Sequence, residues 1–342
     1  MKTVTFGEMM LRLSAPGYSR LVQAGSLDMN FGGGEANVAV SLANYGMESC
    51  FISKFPDNEL GQAAVNHLRR FGVSDRFIVR GGERIGIYFL ESGASQRPSK
   101  VIYDRTGASI TTLVESDLDL DAIFEGASWF HWTGITPALG TVPRQTLLSL
   151  CRAARGRGVT ISCDLNYRAK LWTPAAAQSV MVPMMEFVDV CIANEEDAGN
   201  CLGLPTGASD VDAGILDEEA YAGLLSALKS SFGFAAVAVT MRESMSASRN
   251  GWSAMMLDES DCKAPYRSTR YDIQVVDRVG GGDAFAGALI ARLLKKGNSR
   301  EALEFAVAAS CLKQTLPGDV NLVTEQEIEK LVAGSGSGRV ER

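Results

Sequence analysis

Residues 127–164 read ASWFHWTGITPALGTVPRQTLLSLCRAARGRGVTISCD. The stretch opens on an apolar run at 127–132, passes through a helical pattern at 142–157 and returns to an apolar run at 159–164. The rhythm continues: helix 174–186, strand 188–193 and helix 195–202 follow, and helix 217–230 leads into strand 236–241. Strands alternating with helices predict right-handed βαβ units and a parallel sheet covered on both faces.

Toward the N-terminus, residues 2–13 alternate partly and read as an opening strand. The Gly-rich turn Phe31–Gly34 runs into a helix that Gly46 ends, and strand 49–55 and helix 58–71 come next. Three short segments near 76–79, 85–91 and 99–104 are rich in Ile, Val, Tyr and Phe, with no helix between them. They predict an antiparallel patch apart from the main sheet. Toward the C-terminus, 251–276 reads as short strands, and helices follow at 282–296, 299–314 and 324–332. The fold expected is α/β, a doubly wound, mostly parallel sheet with a small β-sheet lid. A single domain over 1–333 carries a lid from segments near 12–31 and 76–107, and 334–342 is a flexible tail.

Composition narrows the function. The chain has 342 residues, 46% of them apolar, enough for a large core. A net charge of -7 without a Lys/Arg run disfavours nucleic acid, whose binding rests on neutralising phosphates. Lys295-Lys296 reads as a dipole-compensating helix end. No apolar window is long enough to span a membrane, and Lys2 leads into an alternating pattern with no signal-peptide core. Seven cysteines without a C-x-x-C pair indicate a reducing cytoplasm, and two histidines, His67 and His131, leave no material for a His-based zinc site.

In open parallel sheets ligands sit beyond the carboxyl ends of the strands. Three successive strand ends carry polar residues there: Asp164-Leu-Asn166-Tyr-Arg168, Asn194-Glu195-Glu196-Asp197 and Thr240-Met-Arg242-Glu243. Any one alone reads as a helix cap or a solvated loop; three together point to a site. The sharpest feature is Asp277-Arg-Val-Gly280-Gly281-Gly282-Asp283-Ala-Phe285 before a long apolar helix. Consecutive glycines at a helix N-terminus let backbone N–H groups approach an anion. Asp283 could merely cap that helix, yet an acid beside a phosphate cradle is also what a phosphoryl transferase needs to accept a hydroxyl proton.

Competing motifs fail on their own spacing. No Gly-Lys dipeptide exists, so there is no P-loop. In Gly32-Gly33-Gly34-Glu-Ala-Asn37, Asn37 stands where a dinucleotide fingerprint needs its third glycine. Asp117-Leu-Asp119-Leu-Asp121 places Ala122 and Ser128 where a calcium loop needs Gly and Glu.

Gly32–Gly34 running into Asn37 resembles the N-terminal signature of the ribokinase-like (pfkB) carbohydrate kinases, and Asp277–Phe285 resembles their D-x-x-G-x-G-D-x-F signature. The resemblance spans Gly7-Glu8 to the last core helix. Within that family Tyr103-Asp-Arg105, Asp164–Arg168 and Val239–Ser244 look like 2-keto-3-deoxygluconate kinases. The resemblance implies that Asp283 is the catalytic base and that the amides of Gly280, Gly281, Gly282 and Asp283 form the anion hole. It implies a sugar acid bound by Gly34, Asn37, Tyr88, Tyr103, Arg105 and Arg168. The nucleotide would lie against Asn194, Thr240, Arg242, Gly280 and Gly282, with Asn194 and Asp197 ordering magnesium indirectly. Asp197 stands where the family's N-x-x-E has Glu, and Gly281 where it usually has Ala.

The activity expected is ATP-dependent phosphorylation of a sugar acid, 2-keto-3-deoxygluconate to its 6-phosphate. ATP and Mg2+ are the cofactors, with K+ an open candidate. A kinase for fructose, another neutral sugar or a nucleoside is the alternative, and a non-catalytic sugar or nucleotide sensor is a second. Pairing of exposed lid edges makes a homo-oligomer the expected assembly. The acidic stretch 210–219 has no functional account beyond a solvated loop.

Overall fold

A computed structural model describes residues 1–205, 217–259, 264–295 and 297–334. Apolar residues at successive positions, not alternate ones, mark strands covered on both faces. Thus Ile161–Cys163, Val190–Ala193 and Ala236–Val239 are buried throughout. The main sheet orders its strands as Tyr266–Arg267, Arg249–Asp258, Ala236–Ser246, Val190–Ala193, Thr160–Asp164, Ala127–Thr133, Lys2–Phe6, Glu48–Phe55 and Ile78–Arg80. Tyr271–Gln274 also pairs with Arg249–Asp258. From Ala236–Ser246 to Ile78–Arg80 every pairing is parallel; beyond Ala236–Ser246 the sheet turns antiparallel.

Helices cover both faces. Thr141–Arg155, Pro174–Met184, Glu195–Leu202 and Glu218–Phe232 supply one core, around Trp132, Ile161 and Leu225. Gly34–Asn44, Gly281–Leu294 and Ser299–Lys313 supply the other, around Leu42, Phe285 and Ala306. In register, Thr133 lies beside Asp164, Asp164 beside Ile192, and Ala193 beside Val239. The carboxyl ends of four neighbouring strands therefore reach the same level.

A separate four-stranded sheet orders Asp28–Gly32, Met10–Ser14, Ile87–Glu91 and Lys100–Asp104. Four expectations need correction. The small sheet, expected to be antiparallel, is mixed, because Met10–Ser14 and Ile87–Glu91 pair in parallel. The opening strand over 2–13 is two strands, Lys2–Phe6 in the main sheet and Met10–Ser14 in the small one. Here Gly7 lets the chain cross tightly over Glu35, whose carboxylate a Cβ at residue 7 would strike. The segment near 76–79, assigned to the lid, is the main-sheet edge strand Ile78–Arg80, held by parallel pairing to Ser53–Phe55. The region 251–276 begins with one long strand, Arg249–Asp258, hairpinned onto Ala236–Ser246; burial on both strands is shared along the half that pairs Ala236–Val239 with Met255–Asp258. The expected tail, past Gly334, and most of the acidic stretch near 210–219 lie outside the described residues.

Candidate active site

The Gly-rich segment behaves as its sequence demands. Gly280 takes the left-handed conformation (φ 80°) that favours glycine, and a side chain there would collide with the carbonyl oxygen of Asp319. Helix Gly281–Leu294 starts at the next residue. Open space surrounds the Cβ position of Gly282. Gly281 N donates to the Arg278 carbonyl at 3.2 Å, and the positively polarised backbone edge of Gly280–Asp283 lines a cavity of about 390 Å3.

Asp283 sits in that first turn and lines the cavity. Asn37 Nδ2 donates to its Oδ2 at 2.7 Å. Burial, the largest influence, pushes the Asp283 carboxyl up to about 6, against the opposing pull of the Asn37 hydrogen bond and nearby Arg168. Such a carboxylate is ionised at neutral pH yet more basic than an exposed one.

On one side of Asp283 the wall is built by the small sheet and the ends of main-sheet strands. A Cβ on Gly34 would lie 3.7 Å from Asp283 Oδ1 and 3.9 Å from Asn166 Nδ2, so these three groups converge. Tyr88 and Tyr103 are direct cross-strand partners and share one face. The Tyr88 hydroxyl donates to the buried Asp319 carboxylate. Arg168 lines the cavity; its guanidinium donates to the Tyr167 carbonyl at 2.9 Å and makes no ion pair among the described residues. Arg105 also lines the cavity but is already engaged, donating to Glu8 Oε2 through both Nε (3.0 Å) and a terminal nitrogen. A buried acid from the turn between the first two strands therefore holds Arg105 in place at the cavity wall.

On the other side, Asn194 caps helix Glu195–Leu202, accepting from Asp197 N at 2.8 Å, while its amide donates to Asp197 Oδ2 at 3.0 Å. Asp197 also accepts from Tyr167 N at 3.1 Å, and burial pushes its carboxyl up to about 7. The cap and the proposed metal-ordering pair are therefore the same two residues. Asp164 is raised well above the carboxylate range by burial and then by Asp197 and Asp283. Thr240 and Arg242 line the cavity beyond them, Thr240 Oγ1 reaching the Ala193 carbonyl at 3.4 Å. Among the described residues no group of three His, Cys, Asp or Glu could hold a metal ion. These oxygens suit an ion carried mainly by phosphates better than a protein cage.

The cavity brings together all of Gly34, Asn37, Tyr88, Tyr103, Arg105, Arg168, Asn194, Asp197, Thr240, Arg242, Gly280, Gly281, Gly282 and Asp283. It adds Arg278 and Asp319, which the sequence reading passed over. Arg278 lay inside the quoted motif; it donates to the Ala247 carbonyl at 3.1 Å and its buried Nε has no partner among the described residues. Asp319 follows a Pro-Gly turn after helix Ser299–Lys313, where nothing local marks it.

The family described as pfkB family carbohydrate kinase matches residues 1–326. The 2-dehydro-3-deoxygalactonokinase of Haloferax volcanii is 36% identical over 335 residues, covering 98% of this chain and 98% of that protein. The 2-dehydro-3-deoxygluconokinase of Bacillus subtilis is 28% identical over 326 residues, covering 95% and 93%. The crystal structure of 2-dehydro-3-deoxygluconokinase from Thermotoga maritima is 51% identical, covers 98% of this chain and 100% of that one, and superposes with a TM-score of 0.93.

Proposed function

Because the chain belongs to the pfkB family of carbohydrate kinases, we propose that it phosphorylates a 2-keto-3-deoxy sugar acid with ATP, converting 2-keto-3-deoxygluconate to its 6-phosphate. The observation that carries the choice of acid is Arg168, a guanidinium in the cavity without an ion-pair partner among the described residues and close enough to Asp283 to pull on its titration. A carboxylate seated on Arg168 would leave the far end of a six-carbon chain to reach Asp283. Guanidinium groups suit that task because they bind carboxylates bidentately.

Asp283 accepts the proton of the attacking hydroxyl as its oxygen bonds to the γ-phosphorus and the bond to the ADP oxygen breaks. The amides of Gly280–Asp283 stabilise charge on the transferred group. Arg242, Arg278 and Thr240 line the nucleotide half. Magnesium bound to the triphosphate would neutralise developing charge there, with Asn194 and Asp197 holding its water shell.

A coupled ADP-release assay across 2-keto-3-deoxygluconate, its galacto epimer, fructose and ribose tests the reading. Turnover on a keto-deoxy acid far above that on neutral sugars supports it. Equal or better turnover on fructose or ribose replaces the substrate but leaves the kinase. ATP binding without turnover of any sugar would favour a sensor.

A further inference from the structure

Lys313 is the last residue of helix Ser299–Lys313 and is 0% exposed. Its Nζ donates to the carbonyl oxygens of Asp277, at 3.3 Å, and of Val279. The Val279 carbonyl lies directly ahead of Gly280 and that of Asp277 two residues earlier, yet Lys313 is not among the residues lining the cavity. It approaches the anion loop from behind and touches no ligand.

Its surroundings are built for charge. Arg12 bridges Asp277 at 2.6 Å and Asp319 at 2.5 Å, and all three are buried. Asp277 also accepts from Val279 N at 3.0 Å and Gly318 N at 3.1 Å. Two cations thus face two carboxylates. A buried ammonium is unfavourable unless paired and hydrogen-bonded, and a Leu or Met would fill the space without that penalty. Burial drags the Lys313 ammonium below its ordinary value while Asp277 and Asp319 pull it back up.

The peptide bonds explain what the charge accomplishes. No peptide among the described residues is cis, so each C=O points opposite to the N–H that follows it. Turning the Val279 carbonyl onto Lys313 turns the Gly280 N–H the other way, toward the cavity side. Convergent backbone carbonyls are also what a bare monovalent cation would seek. We propose that Lys313 is a positioning residue of this kinase, an internal cation that holds the Gly280 amide outward at the head of the Gly280–Asp283 loop and so replaces a dissolved monovalent ion. The inference rests on the kinase reading of the cavity but on no particular sugar.

Two measurements test it. Wild-type turnover, and AMP-PNP binding by calorimetry, are compared in choline, sodium, potassium and ammonium salts; both should agree within about twofold, and a rise of about tenfold with any small cation overturns the proposal. Lys313→Met, its fold checked by circular dichroism, should lose about a hundredfold in kcat, the scale of a lost oxyanion donor, and regain part of that loss in potassium or ammonium salts. A folded variant with near-normal kcat overturns the proposal, as does a loss that no cation lifts, which would leave Lys313 a scaffold alone. If Lys313→Met does not fold, the wild-type salt series decides. AMP-PNP binding needs no sugar, so a wrong substrate assignment leaves the binding test intact.

Discussion

The amide of Asn37 donates to the carboxylate of Asp283 across 2.7 Å, joining helix Gly34–Asn44 to the first turn of helix Gly281–Leu294. A hydrogen bond to the charged form lowers a carboxyl's pKa, so Asn37 restrains the rise that burial imposes on Asp283. As the proposed general base, Asp283 must be ionised to act. Activity should therefore be present above about pH 6 and be lost as pH falls through that value, read as the acid limb of kcat/KM. Asn37→Ala should move that limb upward by on the order of one pH unit, matching the loss of a charge-assisted bond of about 1.5 kcal/mol. An acid limb that stays in place would mean that Asn37 does not tune Asp283.

Replacing the base outright is the simpler experiment. Asp283→Asn keeps the shape of the site and removes the proton acceptor, so kcat should fall by at least about a hundredfold while AMP-PNP affinity changes little. Near-normal turnover would remove Asp283 from the mechanism.

Arg168 and Arg105 should respond differently to truncation. Arg168→Ala should lower kcat/KM for a sugar acid by about one to two powers of ten, corresponding to about 1.5–3 kcal/mol, with a smaller effect on a neutral sugar. Equal loss on both would refute its role as the carboxylate partner. Arg105→Ala orphans the buried Glu8 and should cost about 3–5 kcal/mol of stability. The melting temperature should drop, and the double change Glu8→Leu with Arg105→Met should recover much of it. A single variant as stable as wild type would show the pair to be dispensable.

The small sheet has two unlike faces. One row, Arg12–Tyr88–Tyr103, belongs to the cavity side. The opposite row, Met29–Leu13–Phe89–Ile102, is apolar, with Met29 58% and Ile102 55% exposed. We propose that a second copy of the chain covers this row. Ile102→Glu should convert a dimer to a monomer in light scattering; a monomeric wild type at the same concentration would end the idea.

Chelation tests the metal. With no protein cage for a divalent ion among the described residues, EDTA should abolish turnover without lowering the melting temperature, and magnesium should restore it. A melting temperature that falls with EDTA would point to a structural ion instead.

The sequence by itself determined what is local. Alternating strands and helices fixed the parallel sheet, and the carboxyl ends of those strands fixed where a crevice must lie. The Gly280–Asp283 segment pointed to the proposed anion site because backbone freedom, a helix start and an acid all sit within a few residues. Tertiary structure alone decided the partners. Glu8 meets Arg105 across 97 positions, and Arg12 meets Asp319 across 307. Lys313, which in sequence looks like an ordinary cation ending a helix, is buried against the loop that begins 36 residues earlier. A buried charge is tolerated only where an opposite charge or a dipole waits, and residues so far apart leave no periodicity by which one can announce the other. Local pattern placed the chemistry; only the folded chain could show which charges are free to use.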